Sequence, residues 1–252
     1  MKYNLHDLGW NNKLQKEYEQ FKHTYDVGRV AVVYQEIYKV YTPRGERLAV
    51  LPGKILHLSI ESIELPAVGD WVLIDKVDSI DDRSVIRGIL TRKSKIARKR
   101  AGKTSEKQVI AVNVDTVFIC MSLNQNFNLR RLERYITLAL NAGTEPVILL
   151  TKSDLCDDVE KQTTKVEKIA KGIDVLSISC IDKTGLDKIQ KYIYPGKTIA
   201  FLGSSGAGKS TIINELLGED RQLTRKTSSV KGKGSHTTTN RELILLPNKG
   251  IV

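Results

Sequence analysis

The chain has 252 residues and a formal net charge of +11 at neutral pH, with an isoelectric point of about 9.5. Its length suits one or two domains with substantial cores, and its charge favours a polyanionic partner such as nucleic acid or an acidic membrane surface. No apolar run reaches the about 18 residues of a membrane span, and the amino terminus has no apolar signal region. Because the sequence also holds only three cysteines, we expect a protein of the reducing cytoplasm and exclude membrane-spanning and disulfide-rich classes.

The first 91 residues consist of a polar amino-terminal stretch and a following part with strand-like patterns. Residues 1–25 are predicted to be a polar extension with a short amphipathic helix around Lys13 to Phe21. Residues 26–91 hold short strand-like runs between turns that contain Pro or Gly, which predicts a β-barrel of about five strands such as an OB-fold. Such barrels are common platforms for single-stranded RNA. Three strand tyrosines either stack on bases or pack inside, and we expect at least one to pack: Tyr34, Tyr38 and Tyr41.

A basic stretch separates this barrel from the rest of the chain. Residues 92–107 are predicted to be a linker, and two functions are equally open for its charges: a solvated, mobile connection or contact with RNA phosphates. Residues 108–252 alternate strands with helices, which predicts an α/β domain whose parallel sheet has helices on both faces. One of its helices is capped by Asn128 and carries an apolar stripe of Leu129, Leu132, Ile136 and Leu140.

A motif typical of guanine recognition follows the apolar strand 146–150. Thr151-Lys152-Ser153-Asp154 has the form T-K-x-D at the carboxyl end of a strand, where open α/β sheets bind ligands. A carboxylate at Asp154 can accept hydrogen bonds from guanine N1–H and the N2 amino group, and adenine offers neither donor on that edge. The stem of Lys152 would lie along the purine face. The alternative is a solvated turn, in which exposed Lys and Asp are common.

The following strand, 175–178, is predicted to deliver a second contact with the base. It ends at Ser179-Cys180, whose backbone N–H groups are expected to meet guanine O6. The next residues are predicted to open a helix at Lys183, and its apolar face would consist of Leu186, Ile189 and Ile193. Only the position of this turn after the T-K-x-D strand gives it a functional meaning.

A phosphate loop is the most specific motif of the chain. It fits the pattern G-x-x-x-x-G-K-[ST] in full and stands between an apolar strand and a helix that is predicted to end at Gly218. Unpaired backbone N–H groups at such a turn suit the α- and β-phosphates. Lys209 would reach the β- and γ-phosphates, and the Ser210 hydroxyl would bind Mg²⁺. The predicted nucleotide-binding residues are Gly203, Ser204, Ser205, Gly206, Ala207, Gly208, Lys209, Ser210 and Thr211.

A polar, basic stretch from Glu219 to Thr239 follows that helix. A loop of this length inside a compact domain is usually functional or disordered. Its run Gly234-Ser235-His236-Thr237-Thr238-Thr239 is predicted to be switch I, in which one threonine coordinates Mg²⁺ only when a γ-phosphate is present. The alternative is a solvated basic loop.

The order of these motifs narrows the class of protein. An ordinary small GTPase has its phosphate loop before its base-reading motifs, whereas this chain has it after them, which predicts a circularly permuted GTPase. The chain resembles the ribosome small subunit-dependent GTPase A (RsgA/YjeQ-type) family from Leu8-Gly9-Trp10 to its last residue. The phrases that carry the resemblance are Gly28-Arg29-Val30, Val68-Gly69-Asp70-Trp71-Val72, Arg92-Lys93-Ser94-Lys95, Gln108-Val109-Ile110-Ala111-Val112-Asn113-Val114-Asp115, Asn128-Leu129-Arg130-Arg131-Leu132-Glu133-Arg134-Tyr135 and His236-Thr237-Thr238-Thr239.

The resemblance implies an OB-fold that binds rRNA, a permuted domain that hydrolyses GTP to GDP with Mg²⁺, and a function in late maturation of the small ribosomal subunit. It assigns the catalytic histidine to His236 and the Mg²⁺-binding threonine to Thr238. We expect a monomer whose partners are the small subunit, its rRNA and guanine nucleotide, without a membrane partner. The alternative is a nucleotide-gated RNA-binding module with little hydrolysis of its own. Asp154 argues against an adenine-specific ATPase.

The chain is expected to depart from the family near its carboxyl end. The family's D-x-P-G motif follows the strand after switch I and would begin just after Val252, and the family's zinc domain would lie further on. Loss of the D-x-P-G motif is expected to impair positioning of the water that attacks GTP more than it impairs nucleotide binding. Cys120, Cys156 and Cys180 have neither C-x-x-C spacing nor a histidine cluster, so they are not expected to bind zinc.

Overall fold

The computed structural model describes residues 2–34, 36–53, 65–76, 83–99, 107–218 and 241–252. Its helices are α1 Asn12–Tyr18, α2 Leu129–Asn141, α3 Val159–Ile169 and α4 Lys209–Leu217, with short 3₁₀ helices at Ser153–Leu155 and Asp187–Tyr192. Its strands are β1 Tyr25–Tyr34, β2 Ile37–Thr42, β3 Gly45–Val50, β4 Trp71–Asp75, β5 Ser84–Ile89, β6 Lys95–Lys99, β7 Lys107–Val112, β8 Thr116–Ser122, β9 Glu145–Thr151, β10 Val175–Ile178 and β11 Ile199–Gly203. Over these ranges, no helix combines the length and the apolar character that crossing a bilayer requires.

The first five strands form the predicted barrel, closed in the order β1-β2-β3-β5-β4. The long strand β1 pairs with both β2 and β4, and a short parallel pairing of β3 with β5 completes the circle. Tyr38 and Tyr41 are buried, and the ring of Tyr41 stacks on that of Tyr3 at 4.2 Å. Packing was therefore the right expectation for both, and base stacking by them is wrong. Tyr34 is 49% exposed at the end of β1.

The amino-terminal stretch packs on this barrel. Leu8, Trp10 and Leu14 are buried in one cluster with barrel residues, and the Trp10 ring meets the Trp71 ring edge-on at 4.8 Å. Helix α1 begins one residue earlier than predicted and ends three residues earlier than predicted. The side chain of Asn11 caps it by accepting hydrogen bonds from two backbone N–H groups. A few large apolar side chains thus pack this stretch on the barrel, although its polar composition indicated an extension.

The predicted basic linker, 92–107, contains regular structure within its described part. Strand β6 pairs antiparallel with β7, and Lys95 is exposed whereas Ile96 is buried, which is the alternation of a half-buried strand. Before β6, the guanidinium of Arg92 donates through Nε and Nη2 to the two carboxylate oxygens of Asp70, each at 2.7 Å. The stretch begins as a fixed part of the fold, and contact of its charges with RNA stays a prediction.

The predicted α/β domain is built on a parallel sheet with the order β10-β9-β8-β11. All seven residues of β8 are buried, as expected for a strand with both faces covered. Helices α2 and α3 cover one face through Leu132, Ile136 and Val166. Helix α4 and the second 3₁₀ helix cover the other through Ile212 and Ile189. The prediction of a parallel sheet with helices on both faces is confirmed.

Residues 241–252 join the barrel to this sheet. The Leu243 N–H donates to Ala31 O of β1 at 2.8 Å, and Glu242 forms a β-bridge with Val32. At the other end of the segment, the Ile199 N–H of β11 donates to Ile251 O at 2.7 Å. The segment after the predicted switch is therefore hydrogen-bonded to the first barrel strand and to the strand that leads into the phosphate loop.

A buried arginine forms a second connection between the domains. Arg29 is 1% exposed, and its guanidinium donates to the backbone carbonyls of Leu8 (2.5 Å), Gly69 (3.2 Å) and Asn113 (3.2 Å). The Asn113 side chain donates to Gly69 O at 3.0 Å and accepts from the Lys93 N–H at 2.9 Å. These residues belong to phrases that carried the family resemblance, so several of those phrases hold the two domains together.

Gly69 gives a direct test of how closely the domains approach. Its φ is +95°, and a Cβ on it would lie 2.3 Å from Val112 O. Gly172 is the matched control, because its φ is +76° and nothing lies within 4 Å of its Cβ position. We expect Gly172→Ala to lower the free energy of unfolding by about 1 kcal/mol through backbone strain alone, and Gly69→Ala by about 1–3 kcal/mol more through the collision. Urea unfolding measures both, and equal losses would rule out the close approach.

Candidate functional site

Three loops meet at the carboxyl edge of the parallel sheet. They follow β9, β10 and β11, whose last residues are Thr151, Ile178 and Gly203. The Thr151 hydroxyl donates to Ala207 O at 2.8 Å, and a Cβ on Gly208 would lie 3.6 Å from the Thr151 side chain. The sheet therefore brings the first residue of the T-K-x-D motif into contact with the phosphate loop, although 56 residues separate Thr151 from Ala207.

The phosphate loop has glycine at each position that a side chain would obstruct or strain. A Cβ on Gly203 would lie 2.5 Å from Cys120 O, and Gly206 and Gly208 have φ of +76° and +85°. Helix α4 begins at Lys209 directly after the loop, so its first backbone N–H groups face the same turn. The local geometry is that of an anion-binding turn.

Lys209 lies folded against this loop. Its Nζ donates to Gly203 O at 2.9 Å and to Ser204 O at 2.7 Å. Burial lowers the pKa of this ammonium group, and within the described chain no carboxylate pairs with it. Phosphate oxygens would supply the negative charge that the protein does not.

Cys120 lies beneath the loop, on β8. It is fully buried, and burial raises the pKa of its thiol to about 12, so it carries no charge beside Lys209 at neutral pH. From the sequence it was predicted to lie in a strand and not to bind zinc. Its contact with Gly203 shows that it helps to shape the floor of the loop. The glycine that begins the motif was the one sign in the sequence that another part of the chain lies close to this position.

One carboxylate oxygen of Asp154 is held by a hydrogen bond, and the other is available to a ligand. Asp154 lies in the first 3₁₀ helix, after Lys152, whose φ of +60° turns the chain sharply. Its Oδ1 accepts from the Ser179 hydroxyl at 2.7 Å, and that hydroxyl accepts from the Asp182 N–H at 3.1 Å. Oδ2 has no hydrogen-bond partner in the part of the chain that the structure describes. A carboxylate fixed on one side and open on the other suits the two donors on the guanine edge.

The prediction that the backbone N–H of Ser179 contacts guanine O6 is wrong. The Ser179 N–H is already donated to Thr184 O at 3.1 Å, and the Thr184 N–H returns a bond at 3.0 Å, so this N–H is not open to guanine O6. Ser179 is fully buried and instead orients Asp154 through its hydroxyl. Cys180 is half-buried near Asp154, and burial raises the pKa of its thiol to about 11.

The helix predicted to open at Lys183 is replaced by a tight turn and the second 3₁₀ helix. Lys183 and Gly185 have φ of +57° and +72°, which an α-helix does not allow, and a Cβ on Gly185 would lie 2.3 Å from Ser177 O. Lys183 pairs with Glu215 of α4 at 2.7 Å, and thereby links the turn after β10 to the helix that follows the phosphate loop. No local pattern indicates this pair, because its members lie in different motifs.

The predicted switch lies outside the described residues. This applies to 219–240, which include His236 and Thr238. Of the predicted metal ligands, Ser210 is described, in the first turn of α4. Among the described residues, no three His, Cys, Asp or Glu side chains gather as a metal site.

Comparison with known proteins identifies a matching family and several relatives. A family model described as RsgA GTPase matches residues 89–252. "Small ribosomal subunit biogenesis GTPase RsgA 2" of Lactiplantibacillus plantarum is 43% identical over 226 residues, which cover 90% of this chain and 63% of that protein. "Small ribosomal subunit biogenesis GTPase RsgA" of Methanosarcina acetivorans is 38% identical over 244 residues, with 97% and 65% covered. The chain thus spans slightly less than two thirds of the length of these curated relatives.

Solved structures share the fold at lower identity. YjeQ from Thermotoga maritima superposes with a TM-score of 0.64 at 22% identity, and covers 90% of this chain and 73% of its own. YloQ, described as a circularly permuted GTPase, superposes with a TM-score of 0.57 at 21% identity, over 91% and 70%. The barrel and the permuted α/β domain are therefore the shared architecture. Since the family model matches well over half of the residues, the chain belongs to the RsgA GTPase family.

Proposed function

We propose that this chain binds guanine nucleotide and hydrolyses GTP. The observation that carries the proposal is the junction at the carboxyl edge of the sheet. There Ser179 holds one oxygen of Asp154 at 2.7 Å, and Thr151 of the same motif contacts the phosphate loop at 2.8 Å. A base-reading carboxylate and a phosphate cradle joined by one short strand end fit a single nucleoside phosphate.

The described residues would divide the nucleotide between them. Asp154 accepts from the guanine edge, Lys152 lies along the base, and the turn from Gly203 to Thr211 surrounds the phosphates. Lys209 exchanges its loop carbonyls for β- and γ-phosphate oxygens. Ser210, together with Thr238 from outside the described residues, would hold Mg²⁺, whose preference for oxygen ligands their hydroxyls fit, and the ion would neutralise charge on those oxygens.

Hydrolysis is assigned to a histidine because of the family resemblance. His236 lies beside the predicted switch threonines, and a neutral imidazole there holds the attacking water through one ring nitrogen. Positioning, rather than proton abstraction, is its expected contribution. The alternative function is a nucleotide-gated RNA-binding module, and the two connections between barrel and nucleotide domain, at Arg29 and at residues 241–252, favour it as a second candidate.

The proposed partner is the small ribosomal subunit with its rRNA. The relatives are named small ribosomal subunit biogenesis GTPases, and a net charge of +11 suits a polyanion. We assign rRNA binding to the barrel, residues 26–91, with residues 1–25 packed on it, 92–107 as the connection and 108–252 as the nucleotide domain. Late maturation of the small subunit, in the cytoplasm and by a monomer, completes the proposal.

Phosphate release separates the candidate functions. The purified protein, continued past Val252 through the expected D-x-P-G motif, is mixed with GTP or ATP, with and without small ribosomal subunits. We expect GTP, and not ATP, to be consumed, and subunits to accelerate its consumption. Binding of GTP without turnover, even with subunits present, would establish the nucleotide-gated module instead. Equal use of ATP would refute guanine recognition, and failure to bind any nucleotide would refute both candidates.

Substitution of the assigned histidine tests the catalytic step. We expect His236→Ala to lower the subunit-stimulated kcat by about 10- to 1,000-fold with nearly unchanged GDP affinity, because a positioned water is lost and ground-state contacts are not. His23→Ala is the control, since this histidine is exposed and precedes the barrel. Full stimulated turnover in His236→Ala would remove the residue from the reaction.

A further inference from the structure

The outer side of α2 carries a group of three arginines. Arg130 and Arg134 are exposed, and Arg131 is half-buried. Since successive residues of an α-helix are turned by about 100°, Arg134 lies between the other two around the helix axis, and the three share one arc. The opposite side of the helix packs on the sheet through buried residues: Leu132, Ile136 and Ala139. This arginine face (Arg130, Arg131 and Arg134) therefore points away from the core.

The arginine face has no counter-charge in contact with it. Within the ranges that the structure describes, none of its three guanidinium groups forms a salt bridge or a side-chain hydrogen bond. The helix holds one acidic residue, Glu133, which pairs with none of them. Elsewhere on the surface, carboxylates do hold their cations, as Asp75 holds Arg87 at 2.7 Å. With three positive residues and one negative residue, α2 has an excess of two positive charges, and a ligand would break no ion pair to reach the arginines.

A second basic element packs against this helix. The Lys95 N–H of β6 donates to Ala142 O, at the carboxyl end of α2, at 3.0 Å. Ile96 of β6 and Ile110 of β7 pack in the same hydrophobic cluster as Leu132. These two strands contain no acidic residue and four basic ones: Lys95, Arg98, Lys99 and Lys107. Positive residues are thus concentrated on elements that adjoin one another.

We propose that the arginine face binds the phosphate backbone of RNA. A planar guanidinium offers forked donors that match two oxygens of one phosphate. Side chains three or four residues apart on a helix have Cβ atoms about 5–6 Å apart, so neighbouring arginines can contact successive phosphates of one strand. An acidic protein would also attract this face, but the net charge of +11 over the chain favours a partner that is negatively charged along its whole length.

This surface is distinct from the nucleotide site. The loops that would hold the nucleotide follow β9, β10 and β11, whereas α2 follows β8 and turns its arginines away from the sheet. Loss of the arginines should therefore leave GDP affinity unchanged. The inference rests on the proposed rRNA partner, and it adds to the barrel a second RNA contact within the nucleotide domain.

Neutralisation of the arginine face tests the inference. Glutamine is the replacement, because its helix propensity is close to that of arginine, and the variant combines three changes: Arg130→Gln, Arg131→Gln and Arg134→Gln. The matched control removes the same charge from three exposed positions of α3: Lys161→Gln, Lys165→Gln and Lys168→Gln. The affinity of each GDP-saturated protein for purified small-subunit rRNA is measured over a range of salt concentrations.

The arginine variant should bind rRNA about 10- to 100-fold more weakly at low salt. The slope of log affinity against log salt concentration should fall by about two to three, one for each lost phosphate contact, whereas the lysine variant should stay close to the wild type. The double variant Arg130→Gln/Arg134→Gln, confined to exposed positions, should lose about one to two from the slope. It decides the question if the half-buried Arg131 is needed for folding, and GDP titration checks that each variant keeps its nucleotide site.

Three results would overturn the inference. The first is equal rRNA binding by the arginine variant and the wild type, and the second is an equal loss in the arginine and lysine variants. The third is weaker binding to whole small subunits with unchanged binding to rRNA, because the partner of the face would then be a protein. A wild type that binds no rRNA would refute the proposed partner together with this surface, whereas GTP turnover is measured independently of both.

Discussion

Replacement of Lys209 by alanine is expected to weaken GDP and GTP binding by about 100- to 1,000-fold. The ammonium group of Lys209 is partly buried, and among the described residues it contacts only two carbonyls of its own loop, so the phosphates would supply the negative charge that these residues do not. Truncation of one partner of a desolvated charge pair costs about 2–5 kcal/mol, and about 1.4 kcal/mol corresponds to a tenfold change in affinity. Isothermal titration with GDP measures the loss.

The fold should survive this substitution. Lys209 begins α4, and alanine is the best helix former, so thermal unfolding without nucleotide should change little. Lys171→Ala, at an exposed position at the end of α3, controls for the loss of one positive charge. Retained tight GDP binding in Lys209→Ala would remove the phosphate loop from the proposed function, whereas a lost fold would show that the carbonyl contacts are structural.

Asp154→Asn is expected to change which base is bound. The amide keeps one oxygen but offers N–H where guanine also presents a donor, so GDP affinity should fall by about 2–4 kcal/mol. Xanthosine diphosphate should gain affinity, because xanthine presents an acceptor at the position of the guanine N2 amino group. Competition between the two diphosphates for the same protein measures the exchange of preference.

Asp157→Asn is the matched control for this exchange. It makes the same change in charge three residues further on, at an exposed position. Ser179 retains an oxygen to donate to in Asp154→Asn, so the turn itself should keep its shape. Unchanged preference in Asp154→Asn, or an equal change in Asp157→Asn, would contradict base recognition by Asp154.

The parts of the site that the sequence predicted are those with local causes. The phosphate loop needs glycines at a fixed spacing between a strand and a helix, and α4 indeed ends before Gly218, which has a φ of +71°. Asn128 caps α2 as predicted, with its side chain accepting from the Arg131 N–H. Periodicity and capping act within a few residues, so they are legible in the chain itself.

Contacts between remote residues were beyond prediction. The hydroxyl of Ser179 reaches Asp154 across 25 residues, and Arg29 reaches Asn113 across 84. No local pattern distinguishes a buried arginine that donates to backbone carbonyls from an exposed one. The resemblance marked Arg29 and Asn113, but their function in joining the domains required the fold.

Composition was misleading where few residues decide the packing. Residues 1–25 are polar overall, yet Leu8, Trp10 and Leu14 are buried in a shared cluster with barrel residues. In the basic stretch, lysines and arginines obscured the alternation that makes Ile96 a core residue of β6. A large apolar side chain contributes about 1.5–3 kcal/mol when it is buried, so a few of them outweigh many solvated neighbours.

Residues 241–252 make the two domains a single thermodynamic system. Each domain contributes backbone hydrogen bonds to this segment, Ala31 to Leu243 on one side and Ile199 to Ile251 on the other. If a bound ligand at either domain strains or relieves these bonds, reciprocity requires that the effect of RNA on nucleotide affinity equals the effect of nucleotide on RNA affinity. With about 1 kcal/mol for each hydrogen bond, one or two such bonds can transmit a factor of roughly five to thirty in both directions.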